Sequence, residues 1–502
     1  MAAADLAMME GIFFCRPTSP CSSPADGSVV FSGGGGGGGG DEEEDCISRL
    51  TDALLSNIIS RLPVKDAVRT ATLSPRWRHV WASTPLILDD TDLLSDHHGG
   101  GGGLPTIADA VSDVLGAHPG PFLSVRLTHT CSYAAAHEGE GGLLLSRWLR
   151  VLADKGVQEL VLVNRPCDTN ADLPADILRV ASIKRLDLGG WNFPSTCDLR
   201  RGADVFPNLL HLRLSRTDIE TADIDRLLLY SRKLETLAIV SSDNSPPRVW
   251  IRSRDLRSLF FCNSVADELS VVVAPMLERL ILWSESSGAG LGDDSCTRIS
   301  IGYVQNLMVL GYLDPRIHKL EIAHTVIEAE TISSPRSMIP SVKTLALKVR
   351  FSVPEEAKML PSFLGCFPNV ETLLIMSDQA DEPTGKLNFK FWQEAGPIRC
   401  LRSTIKSVVL KNFHGYRSER AFLRFIWERS KLLQKMVFVL ACGDDPTSIE
   451  ELVAKLKSLI CVKRASEERK SKILVRKLEK LELPHSFQPF PATMPDPILP
   501  KC

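Results

Sequence analysis

The sequence predicts an α/β protein in which three short N-terminal helices precede a curved parallel-sheet solenoid that ends in an α+β cap. Three observations carry this prediction. Apolar residues recur at helical spacing between residues 46 and 85. From about residue 120 a short leucine pattern returns at intervals mostly in the twenties. After residue 399 the pattern changes to strand, glycine turn, amphipathic helix and strand.

The first N-terminal helix is predicted between Asp52, which can cap its start, and Pro63, which cannot continue it. Apolar residues three or four positions apart give this helix one apolar face. They are Leu54, Leu55, Ile58, Ile59 and Leu62.

Two more short helices follow, and the second of them begins with Ser74 as N-cap and Pro75 at the first helical position. Their apolar residues are Ala67, Val68, Ala71, Trp77, Val80 and Trp81. A unit of fewer than forty residues cannot bury that much apolar surface alone, which is typical of a docking module.

These residues resemble the F-box, the adaptor-binding motif of substrate receptors in cullin-type ubiquitin ligases. The resemblance runs from Ile47 to Pro85, although Leu50-Thr51 stands where the family usually has Leu-Pro. Because Thr can itself cap a helix, we expect the motif to survive. The resemblance implies a Skp-type adaptor, and through it a cullin, as partners. The expected adaptor contacts are Leu50, Leu54, Ile58, Leu62, Pro63, Val68, Leu73, Trp77, Val80 and Trp81. The alternative is that these residues form only a local core.

The central pattern places an apolar residue at each end and in the middle of a six-residue unit, as in Leu277-Glu-Arg-Leu-Ile-Leu282. The middle apolar position falls at 160, 186, 212, 237, 259, 280, 307, 345 and 373. This pattern resembles a leucine-rich repeat, in which each unit is a strand plus a return segment and neighbours stack to bury their leucines. The Leu320-Glu-Ile322 unit follows too soon, and is either a truncated repeat or a hairpin.

The domain boundaries follow from these patterns. Residues 1–45 form a Gly-rich, acidic leader that cannot bury enough apolar area to fold. The F-box-like unit spans 46–85, a linker 86–119, the repeats 120–398, a C-terminal cap 399–480 and a tail 481–502. The cap resembles the FBD region that closes many plant F-box proteins with leucine-rich repeats, and its helix is expected to bury Phe422, Phe425, Ile426, Leu432 and Leu433.

Alternation along the central strands predicts an apolar patch on the concave face of the solenoid, where target binding is expected. Its residues are Phe260, Cys262, Ile281, Trp283, Met308 and Leu310. Either a degron of a partner protein or a small ligand docks there, or the C-terminal segment folds back over it.

Composition and motifs exclude several function classes. A net charge of -3 gives no general attraction to nucleic acid, and no stretch is long enough to span a bilayer. The 13 cysteines include no Cys-x-x-Cys, so no metal site is expected. Nucleophile-elbow, zinc-protease, kinase and nucleotide-binding motifs are missing from the sequence, which predicts no cofactor and no catalysis. We expect the protein in the cytoplasm or nucleus.

The resemblance implies a substrate-recognition subunit of an SCF-type ubiquitin ligase, which binds the adaptor through the F-box and a target protein through the repeats. It is expected to be a non-catalytic subunit. The alternative is a leucine-rich-repeat interaction scaffold without ubiquitin ligase activity.

Overall fold

The computed structural model describes residues 47, 49–93, 107–128, 141–164, 170–197, 205–240, 247–264, 266–284, 296–332, 334–378, 389–440 and 472–476. The predicted leader 1–45 and tail 481–502 lie outside these residues. The expected order of N-terminal helices, solenoid and C-terminal α/β segment is confirmed.

Three short helices form the N-terminal unit: α1 (Asp52–Ile59), α2 (Val64–Thr70) and α3 (Pro75–Ser83). Thr51 occupies the N-cap of α1 without a side-chain cap bond, and Asp52 is the first helical residue. The expected capping role of Asp52 is therefore wrong. Ser74 caps α3 as predicted, because its hydroxyl accepts a hydrogen bond from the Trp77 amide at 3.3 Å.

Fourteen strands of the described residues form the main sheet, and every neighbouring pair in it is parallel. In sheet order they are β1 (Leu86–Asp89), β2 (Phe122–Leu127), β3 (Glu159–Val163), β5 (Arg185–Gly189), β7 (His211–Ser215), β8 (Thr236–Val240), β10 (Ser258–Cys262), β12 (Arg279–Trp283), β14 (Val309–Leu313), β17 (Thr344–Val349), β18 (Thr372–Ser377), β19 (Ser407–Phe413), β20 (Lys435–Leu440) and β21 (Lys472–Arg476).

The sheet begins earlier than the sequence predicts. Residues 86–119 are expected to be a linker, but they contain β1 and the helix α4 (Ile107–Ala117). Because β1 pairs with β2, the sheet starts directly after α3. The three helices are therefore continuous with the solenoid.

One apolar residue from each main strand lies in register with the next and faces the core, and we call this row the core ladder. It consists of Leu88, Val125, Leu160, Leu186, Leu212, Leu237, Leu259, Leu280, Leu310, Leu345, Leu373, Val408, Met436 and Ile473. The predicted middle positions are confirmed except at one strand. There Leu280 pairs with Leu310, so the predicted position 307 is wrong by three residues.

The register differs at β14 because the repeat is longer there and the strand is irregular. Its pairing with β17 shifts between Leu310 and Leu313. Gly311 lies in this irregular stretch, where a Cβ atom would come within 2.4 Å of the Ala346 side chain. Only a glycine leaves room for that close approach.

The return segments form an outer layer of two kinds. In the central repeats they are the strands β9 (Arg248–Arg252), β11 (Glu268–Val273), β13 (Thr297–Tyr303), β15 (His318–Ile322) and β16 (Thr325–Val326). The first four pair in parallel, and β16 turns back against β15. The Leu320 unit is thus an outer-sheet strand followed by a short hairpin.

Elsewhere the return segments are helical. The helices are α5 (Gly141–Asp154), α6 (Thr221–Tyr230) and α7 (Pro354–Cys366). A small parallel pair, β4 (Ala171–Asp172) and β6 (Trp191–Asn192), completes the early repeats.

The C-terminal segment adds the helices α8 (Phe389–Glu394), α9 (Arg399–Ser403) and α10 (Arg417–Arg429). The predicted order of strand, glycine turn, helix and strand is confirmed by β19, α10 and β20. Phe422 and Phe425 are buried against Trp392, with ring centroids 5.2 Å from that indole. The prediction that Leu432 and Leu433 belong to this helix is wrong, because α10 ends at Arg429. Rather than closing the solenoid from outside, this segment extends its main sheet by further parallel strands.

None of the helices in the described ranges combines the length and apolar character that a membrane-spanning helix requires.

We predict that Leu310→Ala lowers the free energy of unfolding by about 2–5 kcal/mol, because it leaves a cavity in the core ladder. Met308→Ala should change it by about 0.5 kcal/mol or less, since Met308 is exposed. Urea unfolding of the two variants measures the difference. Equal losses, or a larger loss at Met308, would contradict the register described above.

Candidate functional site

The three N-terminal helices have an inner face that packs as a small core. Its residues are Leu55, Ile59, Val64, Ala67, Trp77 and Val80, and all of them are buried. α3 packs against α1 and α2, and α2 packs against β1. The inner face thus holds the unit together and attaches it to the first strand of the solenoid.

The outer face of the same helices presents apolar side chains to solvent. Leu54, Ile58, Val68 and Leu73 are between 39 and 65 % exposed. Leu54 and Ile58 are four residues apart and so share one face of α1, while Leu55 and Ile59 point inward. A surface of this kind on a small unit is typical of a protein–protein docking site.

The ten residues predicted to contact an adaptor therefore separate into three groups. The exposed group comprises Leu54, Ile58, Pro63, Val68 and Leu73. The half-buried group comprises Leu50, Leu62 and Trp81, which pack at the edge of the core.

Trp77 and Val80 form the third group, and for them the structure corrects the expectation of direct contact. They are only 7 and 2 % exposed, because α3 turns them toward α1 and α2. They form part of the core beneath the exposed apolar side chains. Ile47 is also exposed beside this unit but was not among the predicted contacts. Its position at the start of the F-box-like motif could have indicated that it belongs to the same surface.

Polar contacts fix the exposed helices relative to one another. The Arg76 guanidinium on α3 pairs with the Asp52 carboxylate at 2.7 Å and donates to the Leu50 carbonyl at 2.5 Å. These contacts tie α3 to the start of α1, so Asp52 contributes by pairing across the unit. The side chains are largely exposed, so the pair contributes modestly to stability.

A buried aromatic junction connects the helices to the solenoid. The His118 ring lies between Trp81 and Phe122, with ring centroids 5.0 and 5.3 Å away. His118 Nε2 donates to the Thr84 carbonyl at 3.1 Å, and Lys155 Nζ donates to the His118 carbonyl. Burial, with Lys155 as a second cause, lowers the pKa of His118 below its usual 6.5. The exposed apolar surface of the helices is therefore joined to the repeats through a packed imidazole.

The predicted concave patch is present but buried. Phe260, Ile281 and Trp283 lie on the inner face of the main sheet, and even Trp283 is only 7 % exposed. Trp283 contacts Tyr312 edge to face at a centroid distance of 5.3 Å. The structure thus contradicts the expectation of an open apolar patch on these three residues.

Met308 and Leu310 do not belong to the inner face, because the register at β14 differs from the prediction. Leu310 lies in the core ladder and is fully buried. Met308 precedes β14 and is 46 % exposed. The inner-face positions of this strand are taken by Val309 and Tyr312, which the sequence reasoning missed.

Charged groups also lie on the inner face of the main sheet. Burial raises the pKa of Asp187 on β5, while the neighbouring Arg213 and Arg185 oppose the rise. Farther along the sheet, Lys348 donates to the Ser284 carbonyl at 2.7 Å and lies 3.7 Å from the Asp378 carboxylate. In the described ranges no cluster of three His, Cys, Asp or Glu side chains is placed to hold a metal ion.

Comparisons with known proteins agree with this division of the chain. A domain model described as F-box domain matches residues 47–89. One described as "FBD-associated F-box protein At5g56370, LRR repeats" matches 145–375, and one described as FBD matches 393–438. The predicted resemblance is confirmed in all three regions.

Curated relatives from Arabidopsis thaliana match over most of their length. F-box/LRR-repeat protein 13 is 26 % identical over 465 residues, which cover 86 % of this chain and 96 % of the relative. FBD-associated F-box protein At5g22730 is 24 % identical over 469 residues, which cover 84 and 92 %.

We predict that the junction makes stability depend on pH. Because the folded-state pKa of His118 lies below 6.5, the unfolded chain takes up this proton first as the pH falls. The contribution is fully favourable above about pH 6.5 and is lost as the pH falls toward the folded-state pKa. Urea midpoints at about pH 7.5 and 5.5 should therefore differ less in His118→Gln than in the wild-type chain. The same pH dependence in both proteins would contradict the prediction.

Proposed function

We propose that this chain, which matches F-box, leucine-rich-repeat and FBD domain models, is the substrate-recognition subunit of an SCF-type ubiquitin ligase. In this proposal the F-box binds a Skp-type adaptor, and through it a cullin, while the repeats bind a target protein. F-box proteins with leucine-rich repeats are generally non-catalytic adaptor subunits, and the proposed role requires no catalytic group from this chain.

The observation that carries the proposal is the exposed apolar surface of α1, α2 and the loop that follows. Burying a leucine- or valine-sized side chain against a partner is worth about 1.5–3 kcal/mol. Leu54, Ile58, Val68 and Leu73 together therefore offer a substantial driving force for association. Residues 47–85 also contain six Lys or Arg and two Asp, so a partner surface with acidic groups at its rim fits best.

The junction around His118 supports the proposal that one chain holds an adaptor on its F-box and a target on its repeats. Since α2 packs on β1 and half-buried Trp81 packs on the buried rings of His118 and Phe122, the F-box and the first repeats are joined by packed side chains. An adaptor on the F-box would then stand in a defined orientation relative to a target on the repeats. Ubiquitin transfer by proximity depends on such positioning, and the catalytic groups come from other subunits.

Two variants distinguish the exposed residues of the F-box, which we expect to bind the adaptor, from the buried residues that hold its helices together. We predict that Leu73→Asp weakens binding to a purified Skp-type adaptor at least about tenfold while the urea midpoint stays near that of the wild type. Trp77→Ala should instead lower the free energy of unfolding by about 3–5 kcal/mol, since it empties the core of the unit. Calorimetric titration with the adaptor and urea unfolding measure the two effects.

Leu143→Asp is the matched control, because Leu143 is 71 % exposed on α5, outside the F-box. It should bind the adaptor like the wild type. If wild-type chain does not bind the adaptor, the chain is an interaction scaffold without ligase activity. If Leu73→Asp and Leu143→Asp bind equally well, the proposed surface is wrong.

A further inference from the structure

A continuous row of residues at the starts of the main-sheet strands forms one edge of the solenoid, and we call this row the rim ladder. In each step the amide of one residue donates to the carbonyl of the residue one repeat earlier, at 2.7 to 3.2 Å. The row consists of Leu123, Gln158, Lys184, Leu210, Glu235, Arg257, Glu278, Met308, Lys343, Glu371, Lys406 and Gln434.

Opposite charges follow one another along the second half of the rim ladder. Arg257 pairs with Glu278 at 2.7 Å. Beyond Met308 in the row, Glu371 pairs with Lys343 at 3.3 Å and with Lys406 at 2.6 Å. These pairs hold the pKa of Glu371 below its usual range, with the Lys406 hydrogen bond as the largest cause.

Met308 is the one uncharged residue between Glu235 and Lys406 in this row. It separates Glu278 on one side from Lys343 on the other, so the ion-pair row has an apolar gap with opposite charges at its two edges. A neutral residue is not required there by packing, because the Met308 side chain is exposed.

Other exposed apolar side chains lie in the turns that lead into the neighbouring strands β12 and β14. Val273, Met276, Tyr303 and Met308 are between 36 and 52 % exposed, and we call them the rim patch. Val273 and Tyr303 are paired residues at the ends of β11 and β13. Asn306 joins the two turns, since its amide donates to the Pro275 carbonyl at 2.9 Å and approaches the Met276 sulfur at 3.8 Å.

We propose that the rim patch is the target-docking surface of the repeats, and that it binds an extended protein segment with a basic residue, an apolar anchor and an acidic residue in that order. This inference rests on the proposed function and specifies where and how the target is recognised. The basic residue would face Glu278, the anchor would cover Met308, and the acidic residue would face Lys343.

The spacing of the rim defines the segment further. Neighbouring strands lie about 4.8 Å apart, so Glu278 and Lys343, two strands apart, are separated by about 10 Å along the edge. A segment in the extended polyproline-II conformation advances about 3.1 Å per residue with three residues per turn, so a basic and an acidic residue three positions apart lie on one face of it, about 9 Å apart. The apolar anchor lies between them, over two flexible methionines that can adapt to different side chains.

The rim patch is a better docking surface than the inner face for a physical reason. Phe260, Ile281 and Trp283 are buried, so no apolar area there remains to be covered by a partner. The rim patch, in contrast, is accessible apolar area bordered by charges. Such an arrangement of an apolar centre and a polar border is typical of protein interfaces.

A phage-displayed random peptide library tests the proposal, with the full chain immobilised through a C-terminal tag as bait. Wild-type chain should enrich peptides with a basic residue, an acidic residue three positions later and an apolar residue between them. Met308→Asp should weaken binding of the enriched peptides at least about tenfold. Leu229→Asp, which changes an exposed apolar residue on α6, is the matched control and should bind them like the wild type.

The double variant Glu278→Lys with Lys343→Glu provides the decisive comparison. Its charges at the gap are exchanged, so it should enrich peptides with the acidic residue first. The exchange replaces two attractive pairs by like-charge contacts with Arg257 and Glu371, but these are partly exposed and screened by salt, so at about 0.15 M salt its urea midpoint should fall only slightly below that of the wild type.

Three results would each overturn the proposal: no enrichment by wild-type chain, peptides that Met308→Asp binds as tightly as the wild type, or the same charge order with the double variant. Adaptor binding of the same preparations is measured in parallel. If adaptor binding persists while peptide selection fails, the rim proposal alone is wrong. If the adaptor does not bind, the ligase proposal is wrong whatever peptides are selected.

Discussion

The core ladder, in which each main strand contributes one apolar residue, aligns the repeats and sets the position of every other element. Each repeat is too small to bury its own leucines, so the strands are stable only beside their neighbours. This constraint aligns the main sheet from Leu88 to Ile473 and determines which residues reach the inner face and the rim. It also links the F-box to the repeats, because β1 follows α3 directly and α2 packs against it.

The sequence predicted the type and order of the elements because these depend on periodicity and on capping residues. Ser74 and Pro75 mark the start of α3, and the leucines from 160 to 280 mark successive strands. Register failed at β14, where repeats of unequal length and an irregular strand place Leu310 where Leu307 was expected. Leu307, Leu310 and Leu313 are spaced three residues apart. Either Leu307 or Leu310 could therefore take the core position of this strand, and the spacing alone could not show which one does.

The candidate site was predictable in location and only partly in detail. The spacing of residues in an amphipathic helix shows which of them share a face. From this spacing Leu54 could be grouped with Ile58, and Leu55 with Ile59. It does not show which aromatic side chains turn inward when three helices meet, and Trp77 is therefore core. Alternation likewise assigned Phe260 and Trp283 to the inner face but gave no measure of their burial. The rim ladder was missed because its residues belong to different repeats and meet only through sheet register.

An adaptor bound to the outer face of the F-box would cover exposed side chains there and leave the inner face packed. Carbene footprinting of the full chain, with and without a purified Skp-type adaptor, reports the exposure of each residue. Labelling of Leu54, Ile58, Val68 and Leu73 should fall on adaptor addition, while labelling of Leu143 and Leu229 stays unchanged. Unchanged labelling of the four F-box residues, with protection elsewhere on the chain, would show that the adaptor binds another surface.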